Sequence, residues 1–214
     1  MDTQSIEQGT PEWFAARLGR ITASRVKDVM AAGRAGAPSA SRATYMGELI
    51  AERLSGVASE GFTNGAMEHG TQTEPQARAA YTMQTGNMVD QVGFVIHSTI
   101  ADSGASPDGL VGADGLVEIK CPLTKTHIEF LKTGTVPTNY VKQMQWQIAC
   151  TGRAWCDFVS FDPRMPHHMR MRVERVTRND AEIRAMESAV MDFIIEMRGE
   201  IAQLETIYGA GEAA

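Results

Sequence analysis

Ser106-Pro107-Asp108-Gly109-Leu110, followed ten residues beyond Asp108 by Glu118-Ile119-Lys120-Cys121-Pro122, is the stretch on which the reading of this chain turns. Asp114-Gly115 lies between the two halves, and an Asp-Gly pair between apolar runs predicts a tight β-hairpin turn. Alternate residues of a strand face the same way, so Glu118 and Lys120 are expected on one side and Val117 and Ile119 on the other. The reversal carries Asp108 back towards Glu118. Two carboxylates and one ammonium group are thereby expected in one small cluster.

Such a cluster suits phosphodiester hydrolysis. Magnesium prefers carboxylate and water oxygens and keeps several waters that substrate oxygens displace. Asp108, Glu118 and the backbone carbonyl of Ile119 are the expected ligands of an ion that lowers the pKa of a bound water. A second ion bridged by Asp108 would stabilise the leaving oxygen. Lys120 is expected to orient or deprotonate the attacking water, or to offset charge on the transferring phosphate. An isolated Glu-x-Lys has a plainer explanation as the surface pair of an amphipathic hairpin. Pro107-Asp108 at this distance, with a turn between, favours the metal site.

The 214 residues suffice for one sizeable core, and a hydrophobic share of 43% excludes a disordered chain. There is no apolar run of membrane-spanning length and no signal peptide, so a soluble, cytoplasmic protein is expected. Cys121, Cys150 and Cys156 are an odd number without a Cys-x-x-Cys pair, which argues against a disulfide framework or structural zinc. Leu110 stands where a phosphate-binding loop needs lysine, and no nucleophilic Ser or Cys elbow is present. Trp13, Trp146 and Trp155 are read as core residues before base-stacking ones.

Twenty basic against 26 acidic residues give a net charge of −6, awkward for a partner of DNA. Its distribution softens the objection. Arg17, Arg20, Arg25, Lys27, Arg34 and Arg42 cluster early, five arginines lie between Arg164 and Arg178, and acidic residues dominate from Asp180 onward. These are expected to be either local phosphate-tracking patches or solvated element faces.

One domain over 1–214 is expected, without repeat or linker. Thr10-Pro11-Glu12 reads as a helix start ending near Gly19, and Thr22 as the opening of a second helix to about Ala32. A loop follows over 31–41, then helices near 41–55 and 66–85, and a strand over 87–97. Beyond the hairpin, helices are expected near 124–132 and 139–151, strands near 154–161 and 169–176, and an acidic helix over about 180–207. The fold class is α/β (α+β), with a central mixed sheet flanked by helices.

The same residues resemble the PD-(D/E)xK nucleases, and specifically the phage lambda exonuclease (YqaJ-like) family of viral recombination nucleases. Ordered blocks carry the resemblance: Glu7-Gln8-Gly9 with Trp13, Arg17-Leu18-Gly19, Ile21 to Ser24, Gly70 with Glu74, and Ala77-Arg78. The two hairpin motifs follow, then Tyr140, Gln143-Met144-Gln145 and Phe161 to Met165. The resemblance implies a restriction-endonuclease-like fold and a magnesium-dependent, processive 5′-to-3′ exonuclease on double-stranded DNA, leaving a 3′ overhang. Two ions per site are implied, with manganese substituting. It implies Glu74 at the second metal or its waters, and Arg17, Ser24, Ser106 and Gln143 on the 5′-terminal phosphate. It further implies a homotrimeric ring, a single-strand annealing protein as partner, and the host cytoplasm if the gene is of phage or prophage origin. Thr126, beside Lys125, stands where the family has an arginine. The alternatives are a restriction-type or structure-specific endonuclease of the same class, and a non-catalytic DNA-end-binding protein.

Overall fold

The computed structural model describes residues 3–33, 39–58 and 65–209, with the backbone alone for 65–68. Its centre is a five-stranded mixed sheet in the order β2 (Val89–Asp90), β5 (Gly109–Val111), β6 (Gly115–Lys120), β7 (Trp155–Phe161) and β8 (Met171–Thr177). Only β6 and β7 run parallel in it. A parallel pair needs a long crossover, supplied here by α5 (Thr124–Thr133) and α6 (Thr138–Thr151). A second, three-stranded sheet orders β1 (Ile21–Thr22), β4 (Ser103–Ala105) and β3 (Val95–Ile96).

The two faces of the large sheet feed separate cores. Leu116, Cys156 and Phe158 pack with α6, α2 (Val26–Val29), α3 (Ala40–Ser55) and α7 (Asp180–Tyr208). Val117, Ile119, Val159 and Phe161 pack instead beneath Ala77 and Tyr81 of α4 (Gly65–Thr85). The alternation expected for β6 is therefore present, and it turns Glu118 and Lys120 towards α6. Central strands buried on both faces lose the simple polar–apolar alternation, which is why β7 is apolar almost throughout.

Most expected helices lie within a residue or two of their observed limits. α1 (Pro11–Arg17) starts on Thr10, whose side chain accepts the Trp13 N–H, and α3 starts on Ser39, which accepts that of Arg42. The C-terminal helix has Asn179 as its cap.

Three local expectations are corrected. The hairpin does not turn at Asp114-Gly115: Gly115 already pairs with Val111, and the reversal runs through residues 112–114 with Gly112 at φ 53°. Gly115 is needed for another reason, since a Cβ there would stand 2.2 Å from the Trp155 ring. Thr22 ends a short strand, pairing with Gly104 as Ile21 does with Ser103, and also caps a 3-10 turn, Ala23–Arg25, that leads into α2; the helix so opened stops at Val29 and not near Ala32. The strand expected over 87–97 is two strands in different sheets, separated where the Gly93 N–H donates to the Gln4 carbonyl. The loop expected over 31–41 falls partly at 34–38, outside the described residues.

Candidate active site

The hairpin register sets Gly109 opposite Val117, which brings Asp108 alongside Glu118 and Ile119. Asp108 Oδ2 accepts the Ile119 backbone N–H at 2.6 Å. Glu118 Oε1 meets the Lys120 ammonium and accepts from Gln143 Nε2 at 2.7 Å, while Oε2 accepts from Gln147 Nε2 at 2.6 Å. Glu118 is only 1% exposed, so its carboxylate oxygens need these donors in place of water. Asp108, Glu118 and Lys120 thus converge on one end of β6.

The electrostatics of the cluster are unbalanced towards negative charge. Burial, then the neighbouring Glu118 and Glu74 carboxylates, push Asp108 well above the usual carboxylate range, with Lys120 and the Ile119 N–H opposing. Burial lowers the Lys120 ammonium, but Glu118 and Asp108 outweigh it and hold the group above the ordinary lysine value. Lys120 therefore stands as a charged donor in this arrangement, its ammonium 5.3 Å from the Tyr140 ring centroid. Carboxylate oxygens are the donor chemistry that suits magnesium. Asp108 and Glu118 supply two such side chains, and among the described residues no three His, Cys, Asp or Glu side chains form a ready-made metal group. Glu74, on α4, is held by Arg78 at 2.5 Å.

The residues expected at a 5′-phosphate fall into two places. Trp13 joins Arg17 to Ser106: the Arg17 guanidinium lies 3.9 Å from the centre of the Trp13 ring, and Trp13 Nε1 donates to Ser106 Oγ at 2.9 Å. The Arg17 guanidinium has no ion pair or hydrogen bond among the described residues, and burial lowers its pKa against the opposing influence of Tyr45 and Glu52. Ser24 is exposed, its hydroxyl 3.3 Å from that of Thr22. Gln143 has its amide on Glu118.

Sequence reasoning missed three participants. Gln147 is fully buried on Glu118, Arg78 holds Glu74, and Trp13 is a platform for Arg17. The spacing of Gln143 and Gln147 on one helix was the available signal for the first.

The basic stretches are largely committed within the fold. Arg164 pairs with Asp162, Arg172 with Glu174, Arg175 with Asp157 and Arg178 with Asp180, while Arg170 donates to the Met165 carbonyl. Earlier in the chain, Arg25 pairs with Asp28 and Glu48, and Arg42 with Glu196. Arg34 lies outside the described residues. Of the two readings of these charges, paired element faces describe most of them.

The sequence profile of the YqaJ-like viral recombinase domain matches residues 12–154. This chain belongs to the YqaJ-like viral recombinase family. Among solved structures it is similar to the alkaline exonuclease LHK-Exo from Laribacter hongkongensis, with 53% identity and a TM-score of 0.86 over 92% of this chain and 97% of that one. The same exonuclease in complex with dAMP matches equally. A phage-related exonuclease from Haemophilus somnus 129PT shares the fold, with a TM-score of 0.62 at 16% identity over 85% of this chain and 96% of that one. No curated protein sequence matches the chain. The YqaJ-like family and these neighbours identify the mixed sheet flanked by helices as the lambda-exonuclease-like PD-(D/E)xK fold. Among the described residues of this YqaJ-like chain, no helix is long and apolar enough to cross a membrane.

Proposed function

We propose that the protein is a magnesium-dependent 5′-to-3′ exonuclease of double-stranded DNA that leaves a 3′ single-stranded overhang for recombination by strand annealing. The observation that carries this reading is the convergence of Asp108, Glu118 and Lys120 at one end of β6. Similarity to an alkaline exonuclease over nearly the whole chain supports it, as does that relative's complex with dAMP, a mononucleotide of the kind an exonuclease releases.

Asp108, Glu118 and the Ile119 carbonyl would hold the cation, with Glu74 at a second ion or its waters; manganese is expected to substitute. When bound, magnesium supplies an acidified water and neutralises charge on the scissile phosphate. The protein's own groups do the positioning. Gln143 and Gln147 donate to Glu118 and orient its carboxylate. Lys120, charged and tethered to Glu118, holds the attacking water or a phosphate oxygen by donation. Arg17, with Ser106 and Ser24, would receive the terminal 5′-phosphate, and the Trp13 face limits the directions in which the guanidinium fork can point. With Gln143 on Glu118, its part in that pocket would be at the border between terminal and scissile phosphates.

The reading includes a homotrimeric ring around the duplex, an annealing protein as partner and action in the cytoplasm. Digestion of end-labelled linear duplex tests the core of it. Label is expected to leave from 5′ ends first and only with magnesium, while covalently closed circles stay intact. Release from 3′ ends first, nicking of circles, or no hydrolysis would overturn it.

A further inference from the structure

We infer that Gln147 is a positioning residue that fixes the Glu118 carboxylate for cation binding, an inference resting on Glu118 being a metal ligand. Oε1 of Glu118 is shared by Lys120 and Gln143, both partly exposed, whereas Oε2 has Gln147 as its donor among the described residues. Gln147 is fully buried on α6, among Met144, Trp146 and Ile148 of the same apolar core. A primary amide in such surroundings costs free energy unless each end is used.

Both ends are used. The amide nitrogen donates to Glu118, and Oε1 lies 3.9 Å from the Cys156 sulfur, whose S–H points the weak bond from β7. Cys156 pairs with Leu116 across the parallel strands, so β6, β7 and α6 meet at this one side chain. The 2.6 Å bond to Glu118 sets which way the amide faces, and the amide in turn sets the plane of the carboxylate. Without Gln147, Lys120 and Gln143 would both hold Oε1, and Oε2 would be buried without a donor among the described residues.

Partners that orient a metal ligand commonly contribute roughly 10–100-fold to metal affinity or activity. The test uses the full chain and manganese alone, with binding read by electron paramagnetic resonance and fold by circular dichroism. Gln147→Met keeps the size and removes the N–H donors. It is expected to weaken manganese binding by roughly 10–100-fold and to raise the magnesium needed for half-maximal duplex digestion in parallel. The rate at saturating metal should recover to within several-fold, and KM for DNA ends should not move. Gln147→Leu is carried alongside, so a folding failure in one variant leaves the other to be read. Wild-type manganese affinity in a folded variant overturns this inference alone. A wild-type protein that neither binds manganese nor degrades duplex overturns the proposed function and this inference with it.

Discussion

Asp108 accepts the backbone N–H of Ile119, the residue between Glu118 and Lys120, at 2.6 Å. One hydrogen bond across the β5–β6 hairpin therefore ties the first carboxylate to the strand that carries the second carboxylate and the lysine. The cluster is set by the hairpin register, with Asp108 one residue before β5 and opposite Glu118. Its chemistry should fail by side-chain removal with the fold intact.

Lys120→Ala should lower the rate of duplex digestion by about 10²–10⁴-fold, the range for a positioned proton-handling or donating group. Asp108→Ala should do at least as much. Asp108→Ala should melt like the wild type or slightly higher, since burial and the neighbouring carboxylates disfavour its charge, whereas Lys120→Ala should melt lower, since it leaves the buried carboxylates without their cation. Digestion at wild-type rate by either would remove these residues from the reaction.

Arg17→Ala should act on the end and spare the chemistry. Hydrogen bonds to a charged group contribute about 1.5–3 kcal/mol, so digestion of 5′-phosphorylated duplex should slow by roughly 10-fold or more. Duplex with 5′-hydroxyl ends should be little affected. Trp13→Leu should reproduce part of the effect, because it removes the surface under Arg17 and the donor to Ser106. Equal loss on both kinds of end would contradict an end-reading role.

Asp162 gives the fold an acid-sensitive clasp between the end of β7 and the start of α5. Burial would raise its carboxyl, but hydrogen bonds from Arg164 and Thr124 hold it down at about 2, against an ordinary value of 3.8. A depressed folded-state value stabilises the fold above the ordinary value, and that contribution is lost as pH falls through about 3.8 towards 2. Asp162→Asn should lower the melting temperature at neutral pH and flatten its decline across that window. An unchanged acid profile would show that the clasp contributes nothing.

Gly115→Ala should destabilise the protein by about 1–3 kcal/mol, the usual cost of overpacking. The added methyl meets the Trp155 ring, itself pinned by the Arg175 guanidinium 3.5 Å above it. Denaturant melts of the single variant check this, and wild-type stability would mean that Trp155 moves freely.

What the sequence made legible was local and periodic. Alternation along Val117–Lys120 assigned both faces of β6, and helical spacing from Tyr45 to Leu54 located α3. What it concealed depended on distant partners. Ser103–Ala105 has no strand-like side chains, and becomes a strand because Ile21 and Val95 flank it. Asp114-Gly115 carries a strong turn signature, yet Gly112 takes the left-handed position and Gly115 makes room for Trp155. Trp13 resembled any core tryptophan until Ser106, 93 residues away, accepted its N–H. Gln147 resembled a polar helix residue for the same reason: the carboxylate that explains it lies on another element.

The most direct test of the account is a crystal structure with manganese, the ion located by its anomalous signal. The account predicts manganese bound to Asp108, Glu118 and the Ile119 carbonyl. A catalytically active protein whose manganese lies elsewhere, with Asp108 and Glu118 still bonded only to protein groups, would contradict it.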